Sequence, residues 1–83
     1  MAYVYIIYSQ VLDKYYVGHT TSLPGERLKK HLQKHKGFTS TAKDWEIVYT
    51  ESFPDKLEAF ARERQIKGWK SKVKIRELIE KGA

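Results

Sequence analysis

Residues 3–20, YVYIIYSQVLDKYYVGHT, decide the fold, because two runs of aromatic and β-branched residues flank a short polar segment. The first run, residues 1–9, has no polar break and is typical of a strand that is buried on both faces. The second run, residues 15–20, is equally rich in strand formers. We therefore predict an antiparallel hairpin with a loop of about four to six residues. Gly18 either ends or kinks the second strand, or lets a bulky group approach the backbone.

The size and charge of the chain favour one small domain with an anionic partner. Its 83 residues are enough for a single modest core, so we treat residues 1–83 as one domain. Sixteen Lys and Arg against ten Asp and Glu give a formal charge of +6, which favours a polyanion such as nucleic acid. Many small domains are basic without binding any partner, so charge alone does not decide the function.

The cysteine content and the hydropathy of the sequence indicate the cellular compartment of the protein. The chain contains no cysteine, which excludes disulfide staples, a thiolate zinc site and a cysteine nucleophile. The sequence does not start with the pattern of a secretory leader, and no apolar run approaches the ~20 residues that span a bilayer. We therefore expect a cytoplasmic protein that is not embedded in a membrane.

Three predicted helices and a third strand follow the hairpin. In chain order they are a helix over about 22–35, a strand over about 45–51, a helix over about 55–67 and a helix over about 71–80. Asp55 is the expected N-cap of the second helix, and Gly68 is its expected C-terminal stop. The order β-β-α-β-α-α predicts an α+β domain with a small, largely antiparallel three-stranded sheet and helices over its face.

The second predicted helix contains a carboxylate in an unusual position. Its apolar arc is formed by Leu57, Ala59, Phe60 and Ile66. Glu63 falls inside this arc, whereas Glu58 and Arg62 fall on the solvated side. Lys67 also falls inside the arc, but its long stem can reach solvent and the shorter side chain of Glu63 cannot reach as far. The simplest explanation of Glu63 is an i,i+4 ion pair with Lys67, which would contribute only ~0.3–0.5 kcal/mol.

The first predicted helix carries a basic border. Arg27 and His31 lie four residues apart along the edge of its apolar stripe, and an ordinary surface arginine is one interpretation of Arg27. His31 and His35 have the spacing of a zinc pair. We do not favour zinc, because the residues between them lack the glutamate of a His-Glu-x-x-His site and no third ligand is evident.

Two triplets carry a resemblance to a known family. Tyr3-Val4-Tyr5 and Tyr16-Val17-Gly18, with Arg27 in the helix after the second and Glu63 in the helix after the third strand, resemble the GIY-YIG nuclease domain. Residues 62–69, RERQIKGW, are similar to those of small bacterial proteins that consist of this domain alone. The resemblance extends from residue 3 to about residue 76.

The chain departs from the family pattern at two points. Tyr3 stands where the first triplet of the family has glycine. The chain also contains no asparagine, although larger GIY-YIG enzymes place one after the glutamate. The role of that asparagine is therefore absent or differently filled.

The resemblance implies hydrolysis of phosphodiester bonds in nucleic acid with one Mg²⁺ or Mn²⁺ ion. We favour DNA over RNA as the substrate, although the sequence does not decide between them, and we expect no small-molecule cofactor. Glu63 would be the metal ligand, and Arg27 would bind the scissile phosphate. Tyr5 or Tyr16 would take a proton from the attacking water, which requires nearby cations such as Arg27, the metal ion, His19 or His31. Without the paired triplets, both tyrosines would be interpreted as core aromatics.

Further contacts with nucleic acid are expected from basic residues. Lys67 and Lys70 flank Trp69, an arrangement of cations and an aromatic ring that occurs in nucleic-acid grooves. Packing in the core is the other interpretation of Trp69. The residues expected to contact nucleic acid are His19, Arg27, Lys67 and Lys70.

Two functions remain open. The first is a metal-dependent endonuclease that acts on structured or damaged DNA, in repair or recombination. The second is a non-catalytic nucleic-acid-binding module on the same scaffold, or a domain that acts only when a protein partner recruits it. The missing asparagine and the absence of a separate recognition domain favour the second.

Overall fold

The computed structural model describes residues 1–26 and 44–82 of the protein. Its elements, in chain order, are strands β1 (Ala2–Ser9), β2 (Lys14–Thr20) and β3 (Glu46–Phe53) and helices α1 (Lys56–Gly68) and α2 (Lys72–Gly82). Residues 24–26 are helical, as predicted for the start of the helix over 22–35. The rest of that helix, with Arg27, His31 and His35, lies outside the described residues.

The three strands form one antiparallel sheet in the order β2-β1-β3. Because β1 is central, it is buried on both faces, as its uninterrupted apolar sequence predicts. The predicted hairpin is confirmed, and residues 10–13 form its loop. The α+β class and the small antiparallel sheet are thus confirmed. No helix in the described ranges is long and apolar enough to cross a membrane.

Asp44 ties the hairpin loop to the start of β3. Its Oδ1 accepts a hydrogen bond of 2.6 Å from the Ser9 hydroxyl, and its Oδ2 accepts one of 2.9 Å from the Val11 amide. These two donors lower the pKa of Asp44, Ser9 having the larger effect. The Ser9 hydroxyl, which is fully buried, also accepts a hydrogen bond from the Leu12 amide. The buried Ser9 hydroxyl therefore has both a hydrogen-bond acceptor and a hydrogen-bond donor as partners.

Apolar side chains cover both faces of the sheet. On one face the buried cluster comprises Ala2, Val4, Ile6, Val17, Ala59 and Ile66, so that α1 packs directly on β1 and β2. Helix α2 adds Ile75, Leu78 and Ile79, which are half-buried. The opposite face carries a second cluster, in which Tyr5, Ile7 and Trp45 are buried.

The apolar arc predicted for α1 is only partly correct. Ala59 and Ile66 are buried, but Leu57 and Phe60 are exposed by 78% and 41%. The face that packs on the sheet is defined by Ala59, Glu63 and Ile66, which lie on one side at i, i+4 and i+7. This face excludes Leu57 and Phe60 and includes the carboxylate.

Arg62 fixes the rotation of α1 about its axis. We expected this side chain in solvent, but it is half-buried and its Nε lies 3.0 Å from Glu51 Oε1 of β3. A second hydrogen bond of 3.1 Å joins its terminal nitrogen to Glu51 Oε2. The Glu51 carboxylate raises the pKa of Arg62 above its usual value. With Arg62 held against β3, the adjacent Glu63 is directed toward β1 and β2.

Element boundaries differ from the predictions at two glycines. Asp55 caps α1 as predicted, accepting a hydrogen bond of 2.9 Å from the Glu58 amide. Gly68 is the last helical residue rather than the stop, because the left-handed residue after the helix is Lys70, with φ of 48°. Gly18 does not end β2, which continues to Thr20.

Gly18 instead permits a close approach, which was the second interpretation of this residue. It pairs with Tyr5 across β1 and β2, and the Tyr5 ring crosses over it. A Cβ atom at residue 18 would lie 2.5 Å from the Tyr5 hydroxyl oxygen and 2.6 Å from Cζ. The buried tyrosine therefore requires the absence of a side chain on the partner strand.

Gly18→Ala should lower the free energy of unfolding by about 1–3 kcal/mol, because the buried Tyr5 ring must shift to admit the new methyl group. Urea denaturation measures the change. Gly68→Ala is the matched control, since no atom lies within 4 Å of its expected Cβ and alanine is favoured over glycine in a helix. Equal stability of Gly18→Ala and wild type would contradict the described packing.

Candidate active site

Glu63 and His19 meet where α1 crosses β2. Glu63 Oε2 lies 3.1 Å from His19 Nδ1, although 44 residues separate them in the chain. His19 pairs with Val4, a residue of the cluster beneath α1, and directly paired residues point to the same face of a sheet. The register of the hairpin therefore turns His19 toward α1, where Glu63 is only 8% exposed.

Lys67 approaches the other oxygen of the Glu63 carboxylate. Its Nζ lies 3.6 Å from Glu63 Oε1, so the predicted i,i+4 ion pair is present. This distance is longer than a hydrogen bond, and the Lys67 side chain is half-exposed. The ion pair alone does not explain Glu63, because the carboxylate is buried and also contacts His19.

Tyr16 belongs to the same region of the molecule. It pairs with Ile7, but β2 is the edge strand, and the Tyr16 ring borders the groove beside α1. Lys67 Nζ lies 5.6 Å from the centroid of this ring, within the range of a cation–π interaction. Lys67 therefore connects Tyr16 with Glu63.

Tyr5 is much more deeply buried than Tyr16. Tyr5 is 1% exposed and belongs to the second cluster, on the face of the sheet opposite α1, and Tyr16 is half-buried against the same cluster. The Tyr5 ring lies against Gly18, two residues from Tyr16 along β2. The interpretation as a core aromatic fits Tyr5, whereas Tyr16 is half-buried at the sheet edge.

Two of the basic residues expected to contact nucleic acid lie together. Lys67 and Lys70 line a groove of about 470 Å³ between β2 and α2. Trp69 lies apart from them, because it packs against the core beneath α1 and its ring is 5.7 Å from Arg62 Cζ. The core interpretation of Trp69 is therefore the one that fits.

Sequence reasoning missed an aromatic contact beside the carboxylate. The Phe60 ring centroid lies 5.2 Å from that of His19, and Arg64 Cζ lies 5.8 Å from the Phe60 ring. Phe60 therefore supports the imidazole from the solvent side. The signal was present, since side chains three residues apart, as Phe60 and Glu63 are, lie next to each other on a helix surface.

Glu63 is suited to bind a divalent cation. The described residues contain no group of three or more His, Asp or Glu side chains that could enclose a metal ion, so within them Glu63 would be a single carboxylate ligand. Mg²⁺ commonly binds through one or two carboxylates and keeps several waters. The carboxylate has lone pairs beyond the one directed at His19, since its contact with Lys67 is too long for a hydrogen bond.

The fold matches a known family of nuclease domains. The family model of the GIY-YIG catalytic domain matches residues 1–76, so the chain belongs to the GIY-YIG family. The predicted resemblance is confirmed. This family consists of endonucleases, which implies a nucleic-acid substrate. No curated protein and no solved structure gives a significant match to the chain.

A double-mutant cycle tests the contact between His19 and Glu63. His19→Ala leaves a buried carboxylate without this partner, so its cost should be about 1–3 kcal/mol of unfolding free energy. Combined with Glu63→Gln, the two changes should show a coupling of about 0.5–3 kcal/mol in urea denaturation. The matched pair Lys56→Ala and Glu63→Gln should be additive. Additivity of the His19 pair would contradict the contact.

Proposed function

We propose that the protein is a divalent-metal-dependent endonuclease that hydrolyses phosphodiester bonds in DNA, in the cytoplasm and in the service of repair or recombination. One observation carries this proposal: the buried carboxylate of Glu63, which His19 contacts, lies beside a cation that also contacts Tyr16. The fold alone would not require these groups to meet. Because the chain belongs to an endonuclease family, we infer that these groups act together in phosphodiester hydrolysis.

Glu63 would hold one Mg²⁺ or Mn²⁺ ion. When bound, such an ion supplies positive charge that neutralises the phosphate during hydrolysis. The His19 imidazole fixes the orientation of the carboxylate, as partners of metal ligands commonly do. Burial beside Ala59 and Ile66 keeps the carboxylate from rotating away into solvent.

Tyr16 is the better of the two candidates for the general base. A base must reach the water that it deprotonates, and Tyr16 lies at the sheet edge whereas Tyr5 is 1% exposed. Lys67 also places a positive charge 5.6 Å from the Tyr16 ring. We assign Tyr5 the role of positioning this part of β2, because its ring packs on Gly18.

Arg27 and His31 complete the proposed site from the helix that the sequence predicts after β2. Arg27 would bind the scissile phosphate, since its planar guanidinium matches phosphate oxygens and stays charged at any working pH. His31, one turn further on, would supply a second polar group on the same border. The role of Arg27 comes from the family pattern and that of His31 from its place on the predicted helix, and both residues lie outside the described part of the chain.

A non-catalytic nucleic-acid-binding module is the second candidate. The observation that favours it is the ion pair of Glu63 with Lys67, because a carboxylate that serves only as a structural partner would show the same contact. The missing asparagine favours it as well. Recruitment by a protein partner would combine both candidates, since the domain would then cleave only in a complex.

Nicking of supercoiled plasmid DNA in Mg²⁺ or Mn²⁺ tests the proposal. Glu63→Gln should lower the rate of nicking by at least ~100-fold, because the amide keeps the shape but loses the charge that binds the ion. Arg27→Ala should lower it by about 100- to 1,000-fold through loss of phosphate stabilisation. Glu58→Gln, an exposed glutamate on the same helix, is the matched control and should nick at the wild-type rate.

The outcomes separate the two candidates. Circular dichroism and urea denaturation first establish that each variant is folded. Wild-type protein that binds DNA in a salt-dependent manner but never nicks it would support the non-catalytic module. Nicking that persists in both Glu63→Gln and Arg27→Ala would show that another site or a contaminant is responsible.

A further inference from the structure

The groove between β2 and α2 is larger than the phosphate contact of a nuclease requires. Its volume is about 470 Å³, which is in the range of sites that enclose small organic ligands. Its floor is apolar and is formed by Val17, Ile66 and Ile75. Tyr15 lines the groove from the face of the sheet that carries α1, and Tyr16 lines it from the sheet edge. An apolar floor with aromatic sides suits a flat organic group better than a phosphate alone.

One of these rings is held rigidly. The Tyr15 ring centroid lies 4.7 Å from that of Tyr8, and the Tyr15 side chain is hydrogen-bonded to Arg76 of α2. Tyr8 in turn donates a hydrogen bond of 2.7 Å to Asp13. A side chain that is already ordered loses little freedom when a ligand packs against it.

The rim of the groove is basic. Lys14, Lys67, Lys70 and Lys72 line it, and the lining residues in the described part of the chain include no Asp or Glu. Two of these lysines are partly neutralised, because Lys67 Nζ lies 3.6 Å from Glu63 Oε1 and Lys72 Nζ lies 3.1 Å from Asp13 Oδ2. The remaining positive charge is complementary to a polyanion. A ligand that is both flat and anionic therefore fits the groove best.

The backbone of Lys70 gives an independent sign of function. This residue has φ of 48°, a left-handed conformation that glycine and asparagine adopt much more readily than lysine. Gly68, two residues earlier, is in the helix instead. A strained residue of this kind is commonly retained where its side chain serves a function. Here the strain accompanies a cation at the rim of the groove.

We propose that this groove binds an unpaired nucleotide of a nucleic-acid strand, with its base on the apolar floor beside the Tyr16 ring and its phosphates at the lysine rim. Bases in a duplex are stacked and paired, so a duplex offers the groove only its phosphates. Single-stranded nucleic acid offers both parts, and proteins bind it through stacking rings and a basic groove. The inference deepens the proposed function and rests on it for the class of ligand, a nucleic acid.

Fluorescence anisotropy in EDTA tests the inference without cleavage. The probes are a fluorescein-labelled 12-nucleotide single strand of DNA and the duplex of the same sequence. Wild-type protein should bind the single strand at least ~5-fold more tightly than the duplex. Tyr16→Leu should lower the affinity for the single strand by about 5- to 100-fold, as expected for the loss of one stacked base, and should lower duplex affinity much less.

Variants of Lys70 separate binding from stability. Lys70→Gly should raise the urea midpoint of unfolding, because glycine accepts the left-handed conformation. The same variant should bind the single strand more weakly, and the slope of log affinity against log salt concentration should fall by about 1. Lys70→Arg should keep the affinity. Lys81→Gln, which removes an equal charge outside the groove, should bind as wild type does.

Two results would overturn the inference. One is equal affinity of the wild-type protein for the duplex and the single strand, which would leave only phosphate contacts. The other is wild-type affinity in Lys70→Gly. Strong preference for the single strand in a protein that never nicks DNA would refute the proposed endonuclease and leave this groove intact as a binding site.

Discussion

The buried carboxylate of Glu63 is the constraint on which the rest of the structure depends. A carboxylate that is removed from water and left unpaired would cost several kcal/mol, so the fold must bring it a partner. His19 is that partner, and it comes from the hairpin rather than from the helix. The contact therefore fixes α1 to β2 and at the same time holds a potential metal ligand in one orientation.

Two adjacent residues of α1 face different strands. Arg62 pairs with Glu51 of β3, whereas Glu63 pairs with His19 of β2. Because each contact resists rotation of the helix, the two together set its angle about its own axis. Lys67, one turn after Glu63, is then carried over the Tyr16 ring. A site assembled on strands and a helix in this way is held more precisely than one assembled on loops.

Much of the fold could be predicted from sequence, because its signals are local. The hairpin follows from two strand-forming runs, and the N-cap of α1 follows from Asp55. Glu63 could be singled out because a carboxylate on an apolar arc needs an explanation. The partner of Glu63 could not be predicted, since a shift of one residue in the hairpin register would turn His19 to the other face.

Other features depend on long-range packing that no local pattern records. Arg62 is half-buried because Glu51 of β3 lies beside it, and a helical wheel contains no information about that strand. Trp69 and Lys70 are neighbours in sequence, but at the end of α1 Trp69 packs against the core and Lys70 lines the groove. The left-handed conformation of Lys70 was likewise unexpected, because Gly68 was the obvious candidate for it.

The central claim is that Glu63, with His19 and Tyr16 around it, forms the metal-binding centre of a nuclease site. Titration of the ¹⁵N-labelled protein with substoichiometric Mn²⁺, followed by NMR, tests it most directly, because a bound paramagnetic ion broadens the resonances nearest to it. The account predicts that the signals of His19, Glu63 and Lys67 broaden first and that Glu63→Gln abolishes this effect. Broadening centred on Asp13 or Glu51, or unchanged broadening in Glu63→Gln, would contradict it.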